Sequence, residues 1–143
     1  MENKEKEIIL KEVCKFVVPF IQIFGVYIIF HGHLSPGGGF AGGAIIGVSF
    51  ILYRIVYGKE GTDKKINYSS LIKISSFGLI LYGGMKGYSF ISGGSSMHWP
   101  SPPLGKEGNI ISAGFILPLN IIVGALVSIT MYFLFSLFKE GEI

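Results

Sequence analysis

The sequence predicts an all-α integral membrane protein with four transmembrane helices and both termini in the cytoplasm, on three observations. Half of its 143 residues are hydrophobic and 15% are charged, giving a mean hydropathy of +0.58. The apolar residues fall in runs of membrane length, not at the short periods of a soluble helix or strand. Basic residues are concentrated on one side of those runs. A soluble domain of this size needs more polar surface to cover its core.

A helix needs about 20 apolar residues to cross ~30 Å of hydrocarbon. The first span is expected at about 16–33 (FVVPFIQIFGVYIIFHGH), with Pro19 near its start, where a missing N–H costs least. The second is expected at about 40–57 (FAGGAIIGVSFILYRIVY). The polar stretch 58–69 (GKEGTDKKINYS) reads as a loop, and the third span follows at about 71–91. A longer connection over 92–109 holds Trp99 and three prolines, Pro100, Pro102 and Pro103; the fourth span covers about 110–138. All 143 residues then form a single membrane domain. The mixed-charge start (ENKEKEIILKE) lacks the look of a cleavable signal, so the first span is expected to remain in the mature protein.

Orientation follows from counting cations. Four spans place the termini and the middle loop on one side, which carries Lys4, Lys6, Lys11, Lys15, Arg54, Lys59, Lys64, Lys65, Lys73 and Lys139. The other side has Lys106, with Lys86 inside a span. That bias puts both termini in the cytoplasm and accounts for a pI near 9.0 without nucleic acid. Tyr53, Tyr57, Tyr88 and Trp99 fall near the boundaries, where amphipathic rings settle. The single cysteine, Cys14, permits no intrachain disulfide and no thiolate cluster, and reads as packing.

Glycine is abundant, with 21 residues. Gly39, Gly43 and Gly47 repeat every four residues in the second span, and Gly83 and Gly87 repeat the spacing in the third. In lipid no hydrophobic force drives helices together, so association relies on backbones meeting across small residues. These stripes suit packing within the chain, docking against helices of other subunits, or both.

The segment joining the first two spans, 31–43, reads HGHLSPGGGFAGG. Ser35 suits an N-cap and Pro36 a first helical residue. The helix start then presents free N–H groups and a positive dipole end to an anion, a partner's carboxylate or water. His33 lies two residues before that cap and has the chemistry to titrate near neutral pH. Gly37, Gly39 and Gly42 match GxGxxG in form, but the dinucleotide fingerprint requires a preceding strand, and here a membrane-length helix precedes it. No Lys-Ser or Lys-Thr pair follows, which excludes a P-loop. His31, His33 and His98 lack a carboxylate or cysteine at matching spacing, so no metal is assigned. The plain alternative is a tight glycine turn with His33 bonded locally.

The run from His33 to Gly43, with Gly32 before it, resembles the GHxxPGGGFxGG signature of the MnhB/MrpB family, small membrane subunits of multisubunit Na⁺/H⁺ antiporters. Gly32, His33, Pro36, Gly37, Gly38, Gly39, Phe40, Gly42 and Gly43 carry the match. The resemblance implies a non-catalytic subunit in the cell membrane of a prokaryote, partnered by other membrane subunits and needing no cofactor of its own. Antiporter-type members tend to carry a Phe-Asp pair in the last span. Here 116–124 reads ILPLNIIVG, without an acid, and is more similar to the related small membrane subunit of energy-converting membrane-bound hydrogenases (MbhF-like). The resemblance thus favours the antiporter module of such a hydrogenase, or of a sulfur reductase. The MrpB component of a stand-alone Mrp-type Na⁺/H⁺ antiporter and a purely structural scaffold are the alternatives.

Two polar groups inside the spans need partners. Lys86 lies 13 positions beyond Lys73, roughly 20 Å along a helix. All nine acidic residues lie outside the spans, so Lys86 either snorkels to the interface or meets a group from a neighbouring subunit. Asn120, beside Pro118, is placed to bond a carbonyl freed by the proline or to reach across helices, which favours packing over ion contact. His33, Lys86 and Asn120 are therefore the candidates for an ion path or a subunit contact. A self-sufficient four-helix exporter needs a membrane-embedded acid, and none is present. No nucleophile, base and orienting group cluster, so an enzyme is not expected.

Overall fold

The computed structural model describes residues 2–32, 37–94 and 116–141. They form four helices: α1 (Glu2–Phe30), α2 (Gly38–Asp63), α3 (Tyr68–Gly94) and α4 (Ile116–Glu140). Parts of α1, α2 and α4 are long and apolar enough to cross a membrane, over 26, 26 and 24 residues. With 27 residues α3 has the length, but Ser, Gly, Lys73 and Lys86 interrupt its apolar sequence, and it is not among the helices with an unbroken stretch apolar enough to cross.

Three local readings are corrected. The charged start is helical, because Glu, Lys and Leu favour helix and Lys15 pairs with Glu12 at 2.5 Å. Pro19 therefore sits in the interior of α1, not near its start, and the carbonyl of Lys15 loses its usual helical donor. The polar stretch 58–69 is mostly helical too. α2 runs on to Asp63, a short linker covers 64–67, and α3 begins at Tyr68 with Asn67 as its cap, accepting from Ser69 N–H at 3.0 Å. Finally, α2 is capped by Gly37 at φ 98°, a left-handed conformation that suits glycine, and not by Ser35. Ser35 and Pro36 lie outside the described residues, as do residues 95–115 with Trp99 and its prolines.

The order across the bundle is α1, α2, α4, α3. α2 lies between α1 and α4, which also touch each other, while α3 packs chiefly on α4. α1 runs antiparallel to α2, since Gly25 faces Gly42 near one end and Tyr57 Oη donates to the Lys11 carbonyl (3.2 Å) near the other. α2 and α4 are parallel: Gly39 meets Asn120, and Arg54 meets Tyr132. α3 returns antiparallel to α4, with the Tyr68 ring tilted against Phe133 (ring centroids 4.9 Å) and Gly78 over Ile122 and Leu126.

The burial pattern is inverted relative to a soluble protein. Phe16, Phe20, Ile80, Phe90 and Phe138 are exposed, whereas Ser49, Arg54, Thr62, Ser128 and Ser136 are buried. Lipid solvates the outer rings without cost, and small or hydrogen-bonded groups let the backbones close inside. Cys14 is buried, as a packing residue should be. The chain is a multi-pass membrane protein.

Candidate functional site

The α2–α4 seam is built on a four-residue repeat on both helices. A Cβ on Gly39 would lie 2.5 Å from Asn120 O, and one on Gly43 2.5 Å from Gly124 O. One on Gly47 would lie 3.1 Å from the Met131 Cβ and 3.3 Å from Ser128 Cα. Ser128 Oγ–H lies within reach of both Gly43 O (2.8 Å) and Gly124 O (2.7 Å), so one proton serves two carbonyls across the seam. The opposite face of α2 packs equally tightly on α1, where a Cβ on Gly42 would stand 2.6 Å from Gly25 O. The glycine stripe of the second span is thus consumed by packing inside the chain.

At the start of α2 the contact becomes backbone on backbone. A Cβ on Gly32 would lie 2.5 Å from Gly38 Cα and 2.8 Å from Asn120 Nδ2. The motif glycines and Asn120 therefore meet where α1 ends and α2 and α4 begin. Asn120 Nδ2 is buried with no hydrogen-bond partner, beside a helix start whose first N–H groups lack helical acceptors. Phe40 points outward and is exposed. His31 is held locally, its Nδ1 2.9 Å from the Tyr27 carbonyl and its ring 4.1 Å from the Tyr27 ring. His33 and Pro36 fall outside the described residues. Among the described residues this end offers amide donors and close backbone. Among the described residues no group of histidine, cysteine and acidic side chains is placed to hold a metal.

Lys86 stands apart from that junction. It is exposed on α3, in an open depression shared with Gly87, Ser89 and Phe90 of its own helix. Gly83, Gly84 and Gly87 have open space where a Cβ would stand. Unlike the stripe of α2, the glycine repeat of α3 has no packing partner among the described residues.

The structure adds a cluster at the other end of the bundle that the sequence reading missed. Arg54 is buried, 4% exposed, and donates to Tyr132 Oη and to Asp63 Oδ1 at 3.2 Å. Asp63 lies nine residues further on and returns because α2 breaks at Gly58 (φ 71°, ψ −177°), a conformation open essentially to glycine alone. Thr62 Oγ1 secures the bend by donating to Gly58 O at 2.8 Å. Counting Arg54 as a boundary cation hid it; the available signal was a charge set inside the apolar run FILYRIVY.

A family model described as a domain related to the MnhB subunit of the Na⁺/H⁺ antiporter matches residues 9–133. A candidate antiporter subunit of Staphylococcus epidermidis, mnhB2, is 40% identical over 75 residues, covering 51% of this chain and 53% of that protein. Its Staphylococcus aureus counterpart is 44% identical over 57 residues, 40% of each chain. The chain thus spans about half or less of the length of these relatives. With the family model covering most of its length, the chain belongs to the family of domains related to the MnhB subunit of the Na⁺/H⁺ antiporter.

Proposed function

We propose that this chain is the MnhB-type, non-catalytic subunit of a multisubunit Na⁺/H⁺ antiporter, working with other membrane subunits and without a cofactor of its own. The family match and the relatives named as antiporter subunits support this alternative. The hydrogenase and sulfur-reductase versions draw no support from them and are set aside. Asn120, one of the residues on which that leaning rested, closes on Gly39 in the α2–α4 seam.

One observation carries the reading: α3 presents a lysine and open glycines that nothing in the described chain answers. Its glycines are free to take a neighbouring backbone, and Lys86 is placed to meet a carboxylate from the same neighbour. α3 is proposed to cross the membrane as well, as the third of four spans. It runs antiparallel to α4 beside it, and 27 residues rise about 40 Å, more than the hydrocarbon requires. The Ser, Gly and Lys residues that interrupt its apolar sequence fit a helix that protein covers in part. With four spans and the basic excess on one side, both termini are cytoplasmic.

His33, Lys86 and Asn120 are the candidate contacts to an ion path or to a neighbouring subunit. The test is cation-dependent proton exchange in everted vesicles holding the complete complex. His33→Ala or Lys86→Ala should lower exchange at unchanged assembly. Wild-type exchange in both variants would leave a scaffold role only.

A further inference from the structure

We infer that the cavity between the lysine-rich halves of α1 and α2 holds one anionic phospholipid, with its phosphate at Lys65 and an acyl chain along Val18 and Phe50. The inference rests on the membrane placement of α1 and α2 and not on the antiporter reading. The cavity measures about 660 Å³, within the ~300–1,000 Å³ typical of small-molecule sites. Its walls are mostly apolar: Val18 and Pro19 come from α1, and Phe50, Tyr53 and Tyr57 from α2. The two tyrosine rings stack with centroids 4.4 Å apart, and Tyr57 spends its hydroxyl donor on the Lys11 carbonyl.

Polar groups enter this lining in a definite order. Lys65, in the linker that follows α2, stands at the Tyr53 end. Its ammonium lies 5.4 Å from the Tyr53 ring centroid, and among the described residues no carboxylate pairs with it. Lys15, the other cation on the wall, is already bound to Glu12. Gln22 lies seven residues beyond Lys15, about 10 Å deeper along α1. Helical side chains lean toward the N-terminus, which is here the Lys15 end. The Gln22 amide is half-buried on the cavity wall and has no hydrogen-bond partner among the described residues.

A cation at the mouth, an amide donor further in and an apolar wall alongside match, in that order, the phosphate, ester carbonyl and acyl chain of a phospholipid. A partner's transmembrane helix keeps its carbonyls bonded within itself, whereas a lipid ester has one to accept from Gln22. The charge favours an anionic headgroup. Lys64 and Lys65 are adjacent, on the side that carries the basic excess, where anionic lipids attract basic segments.

The full chain, purified in mild detergent and stripped of lipid, is titrated with phosphatidylglycerol and with phosphatidylcholine and read by native mass spectrometry. One phosphatidylglycerol should be retained in preference. Lys65→Gln, at an exposed side chain, should weaken that retention about five-fold, and Lys65→Arg should keep it. Lys64→Gln, outside the cavity lining, should change it little. Cys14 lies on the cavity wall, so its alkylation reports occupancy at this place: phosphatidylglycerol should slow labelling of the wild type and not of Lys65→Gln. Equal retention of the two lipids, equal losses in Lys64→Gln and Lys65→Gln, or Cys14 labelling indifferent to phosphatidylglycerol overturns the proposal. So does a Cys14 that is protected in the delipidated complete complex, which would give the cavity to a partner subunit.

Discussion

Arg54 reaches Asp63 only because Gly58 turns the last five residues of α2 back toward the bundle. The pair is asymmetric: the Arg54 side chain is 5% exposed and that of Asp63 50%. Solvent screening limits what the carboxylate contributes, whereas the buried guanidinium must keep its donors bonded.

The asymmetry sets an order of variants. Asp63→Asn should cost about 0.5–1 kcal/mol. Arg54→Gln, which strips Tyr132 and Asp63 together, should cost on the order of 3 kcal/mol. Thermal unfolding in detergent measures both; equal losses would mean that the carboxylate is desolvated after all.

Gly58 has open space around the position of a Cβ, so Gly58→Ala tests the backbone alone. The strained conformation should cost about 1–3 kcal/mol. Combined with Asp63→Asn, the losses should fall short of their sum, since both variants break the same latch. Full additivity would separate the bend from the ion pair.

The two glycine stripes should behave oppositely. Gly43→Leu forces atoms against the Gly124 backbone and should destabilise the isolated chain by about 1–3 kcal/mol. Gly83→Ala meets nothing and should stabilise it by about 0.5–1 kcal/mol through helix propensity, while weakening retention in the complex. Parallel melting curves and co-purification yields read the difference.

Membrane orientation is tested with single cysteines in a Cys14→Ala background. Residues 64 and 139 should both label from the cytoplasmic side, and residue 106 from the opposite side. Opposite labelling of 64 and 139 would remove α3 from the spans.

Four helices were legible because membrane-length apolar runs are a one-dimensional signal, and the stripe Gly39–Gly43–Gly47 because close packing in lipid has few other solutions. Boundaries were less so. Charged residues such as Glu5 and Lys6 continue a helix into water as readily as they end a span, which moved Pro19 into the interior of α1. The Arg54–Asp63 latch depends on a reversal at one glycine, and nothing local in the sequence distinguishes Gly58 from the other 20. Gly83 and Gly87 share the spacing of the α2 stripe, yet which stripe is filled within the chain depends on α2, not α3, lying centrally.

The most direct test is extraction of the tagged full chain from its native membrane in mild detergent, with mass spectrometry of whatever accompanies it. A fixed set of other membrane subunits, lost when bulk is added at the open glycines Gly83 and Gly87, is the predicted result. Recovery of the chain alone or paired with itself, exchanging cations for protons unaided, would contradict it.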